Sequence, residues 1–288
     1  MIDQEVLERL EARVLAVLDG APIDDLDVIG YGEISTVLRA EGTDGPVVAK
    51  RLPQMRRTQF VAYSRTLADY LDDLSVRGVQ PVESIVRAVG DDPVVPYCIQ
   101  PLQPLLLVDE LITADDATIE RRVGQLVNTI VGAVDGWVGL DGQVSNWAVQ
   151  DDDLVYIDVT TPLLRDASGS ERLDVGLFLA SLPWALRGAV DRFLLTEILS
   201  HYYDPRAVLL DLAGNLHKER LTEVIPPLLE AANRLVSPPI TQTEAEKYYR
   251  SDAWMWEFLL RIRGADRAWQ RKVRHRRYPF LLPGQIER

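Results

Sequence analysis

Residues 140–159, LDGQVSNWAVQDDDLVYIDV, place Asp141, Asn146 and Asp158 within one short segment. From Trp147 onward the segment has the pattern of a hairpin: WAVQ, a polar turn DDD, then LVYIDV. Asp141 and Asn146 precede the first arm and Asp158 ends the second. The segment therefore brings an acid, an amide and a second acid to one mouth. Turns are rich in Asp and Asn for local reasons, because these side chains bond nearby backbone N–H groups. The chemical alternative is a place where a metal ion and a proton are handled together. What stands upstream separates the two.

The upstream chain reads as strands. LDVIG (26–30) and STVLRAEG (35–42) flank Gly30 and Gly32, and a TDG turn leads to a third strand, PVVAKRL (46–52). Glycines between strands let the backbone turn tightly and approach a phosphate closely, although two glycines in a hairpin turn also need no function at all. Lys50 sits in VVAK on an otherwise apolar strand, where an ammonium needs an anionic partner or an exit to solvent. Apolar positions at Phe60, Tyr63, Leu67, Tyr70, Leu71 and Leu74 then have helical spacing across 56–76. SIVRAVG (84–90) and VVPYCIQPL (94–102), separated by DDP, form another strand pair.

These patterns divide the chain into an N-terminal helix over 1–23, a small sheet with one inserted helix over 24–100, and a mainly helical remainder over 101–288. The prolines of QPLQP (100–104) mark the second boundary. A long helix is expected over 116–138, and helices again from Asp174 onward, with breaks near Pro205, Pro226 and SPPI (237–240).

Composition sets outer limits. A chain of 288 residues with an apolar fraction of 47% and a charged fraction of 26% suits a globular protein with room for two lobes. No apolar run approaches the ~18 residues of a membrane span. The start, MIDQEVLERLEARVLAVLDG, is acidic and amphipathic rather than a secretory signal, so a cytoplasmic protein is expected. The single cysteine, Cys98, lies in an apolar run and reads as a buried structural thiol. His201, His217 and His275 lack metal-ligand spacing, and WMWEFLLRIR (254–263) reads as core. SHYYDP (200–205) is either a pocket rim or a plain helix end.

Charge is unevenly spread. Residues 261–288 carry nine Lys or Arg against Asp266 and Glu287, a local +7, which leaves about −20 for the rest of a chain whose net charge is −13. The acidic body disfavours nucleic acid and favours cationic or metal-bound ligands. The basic segment has aromatic residues interleaved with its arginines. It either packs back on that body or meets an anionic partner.

A glycine loop between strands, VVAK on the next strand, a helix, then D-x-x-x-x-N before a hairpin is the order of parts in protein kinases. WVGLDGQVSNWAV and YIDVTTP resemble most the aminoglycoside phosphotransferase and choline kinase branch of that fold, and the resemblance spans about residues 24–180. It implies a two-lobed, α+β, protein-kinase-like fold with a small antiparallel N-terminal sheet, one helix beside it, and a larger helical lobe. It also implies ATP or another nucleoside triphosphate, Mg2+, and a hydroxyl-bearing small molecule such as a sugar, aminoglycoside or amino alcohol as phosphoryl acceptor.

Carried over residue by residue, Asp141 is the catalytic base, Asn146 and Asp158 hold the metal, and Lys50 holds the α- and β-phosphates. Gly30, Gly32 and Ser35 form the phosphate loop. The backbone carbonyl of Gln100 and amide of Leu102 hold the base, skipping Pro101, which has no N–H. An aspartate of the 56–76 helix, Asp69 with Asp72 or Asp73 as substitutes, stands where a partner for Lys50 is implied. Asp174 either braces the catalytic loop by accepting backbone hydrogen bonds or serves only as charge at a helix N-terminus. Three positions depart from the pattern: Ser35 replaces a glycine, Gly139 stands where a histidine usually supports the loop, and the 56–76 helix has no glutamate for Lys50. About fifteen residues separate Asp158 from Asp174, too few for the activation segment of a protein kinase. A nucleotide-binding pseudokinase with a regulatory or scaffolding role is the alternative that the departures leave open.

Overall fold

The structure is a computed structural model and describes residues 2–32, 35–174, 176 and 199–250. Helix α1 (Gln4–Leu18) precedes three strands, β1 (Val28–Tyr31), β2 (Thr36–Gly42) and β3 (Gly45–Arg51). Helix α2 (Arg57–Val76), the short β4 (Gln80–Pro81), β5 (Ile85–Val89) and β6 (Val95–Pro101) follow. β1, β2, β3, β6 and β5 form, in that order, one antiparallel sheet. Then come α3 (Leu107–Thr113), α4 (Asp116–Ala133), and the hairpin of β7 (Trp147–Gln150) and β8 (Asp153–Tyr156), against which β4 pairs in parallel. Helices α5 (Pro205–Lys218) and α6 (Ile225–Asn233) end the series of named elements, and residues 242–250 are also helical. The molecule is α+β.

Two apolar clusters organise these elements. Leu7, Leu10 and Val14 of α1 pack on Leu38, Ala49, Tyr97 and Ile99, covering one face of the sheet. Within that interface Arg51 binds both carboxylate oxygens of Glu11 at 2.8 Å, and the Tyr97 hydroxyl donates to Glu11 at 2.5 Å. Burying a charge demands this degree of pairing. α1 therefore belongs to the sheet and is not a separate segment.

The larger cluster runs from Tyr63, Leu67, Tyr70 and Leu74 of α2 through Val127 and Ile130 of α4 to Leu209 and Leu212 of α5. One face of α2 is thus built into the core that carries the helical elements. Cys98 is buried in the same cluster, and its thiol is pushed up to about 11 by burial, as befits a structural residue.

Several boundaries differ from the sequence expectation. α4 stops at Ala133, five residues short of 138, because the Asp135 carboxylate accepts the N–H groups of Trp137 and Val138 at 2.8 Å and folds the chain into a turn. Pro205 begins α5 instead of breaking a helix, with Asp204 capping the Ala207 N–H at 2.8 Å, and Pro226 lies in the first turn of α6. The helix expected directly after Asp174, the basic segment 261–288, His275 and WMWEFLLRIR lie outside the described residues. Among the described residues no helix is long and apolar enough to cross a membrane.

Candidate functional site

The loop that carries Asp141 is fixed from four directions. Gly139 and Leu140 donate their N–H groups to Leu163 and Tyr202 carbonyls at 2.9 and 3.1 Å. Asn215 of α5 accepts the Val144 N–H at 3.0 Å, and Gln143 donates to Asp211 of α5 at 3.2 Å. Neither glycine of the loop has room for a side chain. A Cβ at Gly139 would lie 3.0 Å from the Tyr202 carbonyl oxygen, and one at Gly142 would lie 2.7 Å from Val208 Cγ1. Support at Gly139 comes instead from α2, whose Tyr70 hydroxyl donates to the Gly139 carbonyl at 3.0 Å. Tyr156, also buried, lies beside Tyr70 and the Asp141 backbone. Burial raises the pKa of both tyrosines, so their hydroxyls remain protonated donors.

Asp158 lies two residues beyond β8, beside Asn146. The Ile157 N–H donates to the Asn146 carbonyl at 2.9 Å, and the Asn146 side chain reaches the Asp141 carbonyl at 3.4 Å. Asp158 Oδ1 accepts from Lys50 Nζ and from Thr160 Oγ1, each at 3.2 Å. Lys50 also donates to the Ile157 carbonyl at 2.7 Å, which receives Gln100 Nε2 as well at 3.1 Å. Lys50 is 8% exposed and Asp158 34%, so the ammonium is held inside while the carboxylate meets solvent. Tyr63 of α2, seven residues before Tyr70, donates to the Thr160 carbonyl at 2.9 Å.

Asp141 and Asp158 line one open cleft together with Gly32, Ser35, Thr160, Thr161, Tyr156, Leu163, Leu199 and Tyr202. The Gly32 N–H donates to the Ser35 carbonyl at 2.9 Å, and a Cβ at Gly32 would lie 2.6 Å from Ser35 Oγ, so these two residues approach closely. Gly30 lies on β1, outside the cleft lining, where a Cβ would meet ordinary contacts at 3.5 Å. Of SHYYDP, Tyr202 reaches the cleft.

Asp158 Oδ2 and Asn146 Oδ1 have no hydrogen-bond partner among the described residues. No group of three or more His, Cys, Asp or Glu there is arranged to hold a metal. Asp158, one-third exposed on the cleft, offers a carboxylate oxygen beside solvent, and Asn146, its neighbour outside the cleft lining, offers an amide oxygen; Mg2+ keeps waters and takes few carboxylates. The residues present fit that ion.

Four expected contacts are placed differently. Lys50 does not pair with Asp69, which lies on the flank of α2 beside Tyr70 and pairs with Arg172. Asp174 does not brace the Asp141 loop; it accepts from the Gln59 side chain at 2.8 Å and from the Gly176 N–H at 2.9 Å. The Leu102 N–H is turned to the sheet and donates to the Pro46 carbonyl at 3.2 Å. Gln100 takes part through its buried side chain, on Ile157 and on Ser84 Oγ at 3.1 Å. Tyr63, Tyr70 and Thr160 were not singled out from the sequence as site residues. The two tyrosines were visible only as apolar positions of a helix, yet a buried Tyr hydroxyl needs a partner, and their spacing of seven puts both on one face.

The chain belongs to a family of unknown function, DUF6206, whose model matches residues 9–267. No curated protein matches it.

Proposed function

We propose that the chain is an ATP- and Mg2+-dependent phosphotransferase acting on a hydroxyl of a small molecule, built on a two-lobed protein-kinase-like fold. The observation that carries this reading is the pairing of buried Lys50 with Asp158, 108 residues apart, where Asp158 lines a cleft together with Asp141, Gly32 and Ser35. The antiparallel order β1-β2-β3-β6-β5, with α2 inserted after the lysine-bearing strand, supports it.

Phosphoryl transfer asks for positioning and charge neutralisation more than for covalent chemistry. Asp158 and Asn146 would hold the metal through the oxygens that have no other partner. Lys50 would neutralise phosphate charge from the buried side. Asp141 would accept the proton of the acceptor hydroxyl and orient its oxygen. Bound Mg·ATP would supply the electrophilic phosphorus and a neutralised leaving group.

Isothermal calorimetry of ATP with and without Mg2+, followed by ATP consumption across a panel of hydroxyl-bearing metabolites, tests this. Metal-dependent binding with turnover supports it, and absence of nucleotide binding rejects it.

A nucleotide-binding pseudokinase is the second reading. It is favoured by the absence of a helix carboxylate on Lys50, since Asp69 is committed to Arg172. Metal-dependent binding without turnover on any acceptor would select it.

A further inference from the structure

Helix α2 has no carboxylate on Lys50, yet it touches both loops of the site. Tyr63 bonds the Thr160 carbonyl, two residues past Asp158, and Thr160 Oγ1 bonds Asp158 itself. Tyr70 bonds the Gly139 carbonyl, two residues before Asp141. Both tyrosines are buried, Tyr63 at 3% and Tyr70 at 0% exposure. Seven residues of helix separate their Cα atoms by roughly 10 Å along the axis. One rigid face of α2 therefore spans the two loops.

We propose that Tyr63 and Tyr70 are positioning residues that fix the Asp158 loop relative to the Asp141 loop, a task an ion pair between Lys50 and α2 leaves undone here. The inference rests on the phosphotransferase reading for its consequence, but the coupling is a property of these hydroxyls. Neutral hydroxyl-to-carbonyl bonds in a dry core are little affected by ionic strength, unlike an ion pair at the cleft. The arrangement also ties the loops to each other. A displacement of α2 along its axis would move both bonded carbonyls together and so keep the two loops in register. Lys50 is left to bridge Asp158 and phosphate without a third partner on the helix.

The test uses the full chain with Tyr63→Phe and Tyr70→Phe, which keep the rings and delete only the bonds. Tyr97→Phe is the control. It removes an equally buried hydroxyl from the Glu11–Arg51 cluster on the α1 side of the sheet. ATP affinity is measured with and without Mg2+, alongside the thermal midpoint and amide hydrogen exchange of 139–146 and 158–164.

Tyr63→Phe should weaken Mg·ATP binding about tenfold, the lower end of what loss of support behind a metal ligand costs, and leave metal-free binding within about twofold. Tyr70→Phe should speed exchange of 139–146 and weaken Mg·ATP binding less than Tyr63→Phe does. Tyr97→Phe should lower the midpoint and change neither. If the wild type binds Mg·ATP but both cleft variants bind and exchange as it does, or if Tyr97→Phe produces the same losses, the positioning role is overturned. If the wild type does not bind Mg·ATP, the phosphotransferase reading and this role fall together.

Discussion

Replacing Lys50 by Met removes the ammonium and keeps most of the stem's volume. Two acceptors lose a donor: the Ile157 carbonyl at 2.7 Å and Asp158 Oδ1 at 3.2 Å. Neither is stranded, because Ile157 keeps Gln100 Nε2 and Asp158 keeps Thr160 Oγ1. Breaking a fully buried ion pair by removing one partner costs about 3–5 kcal/mol. Asp158 is one-third exposed, and solvent screens what it loses, so a loss of about 1–2 kcal/mol is expected here.

Nucleotide affinity should suffer more. A hydrogen bond to a charged group contributes about 1.5–3 kcal/mol, which is about 10- to 150-fold in Kd. Binding of Mg2+ alone should move the other way, because the ammonium competes with any cation for Asp158. Urea titration gives the first quantity, and calorimetry with ATP and with Mg2+ separately gives the others. Unchanged ATP affinity in a folded Lys50→Met variant would refute the phosphate role. A stability loss beyond about 4 kcal/mol would show that Lys50 serves mainly to hold the two halves of the chain together.

At the metal ligands, Asp158→Asn should abolish most of the Mg2+-dependent part of ATP binding and Asn146→Ala a smaller part; unchanged calorimetry for both rejects the assignment. Asp141→Asn should bind Mg·ATP as the wild type does and transfer phosphate ~10²–10⁴-fold more slowly, the usual cost of losing a general base; equal rates would remove Asp141 from the chemistry. Cys98 bears on the core instead. With its thiol pushed up to about 11 by burial, the nucleophilic thiolate is scarce at pH 8, and labelling by a thiol reagent should wait for unfolding. Labelling at the rate of a denatured control would show that the core around β6 is open.

The sheet was legible because alternation and turn residues act locally. The strands flanking Gly30 and Gly32, the TDG turn and VVAK all fall within a residue or two of β1, β2 and β3. Asp141, Asn146 and Asp158 were legible as a group for a similar reason, since one hairpin carries all three and chain connectivity alone keeps them close. Relations between distant elements were less accessible. Sequence spacing placed Asp69 at a suitable height on α2, but the rotation of the helix decides its neighbour, and one residue is about 100° of rotation. Tyr70 received the inward position, and Asp69 was left to Arg172 on the flank.

The expected base contacts show how a single residue of register reverses a reading. Pro101 was passed over because it lacks an N–H, which is true of a donor but irrelevant to an acceptor. The Pro101–Leu102 peptide is not among the cis bonds, so its carbonyl and N–H point in opposite directions. The Leu102 N–H is directed at the Pro46 carbonyl of β3, and the Pro101 carbonyl must therefore face away from β3. There it accepts from Gln103 Nε2 at 3.1 Å. Gln100, one position earlier, sends its side chain to Ile157 and thus to the inner end of the Lys50–Asp158 pair. Under the proposed reading, the backbone acceptor offered to a nucleotide base is Pro101, not Gln100. A base that uses it has to displace the Gln103 amide first.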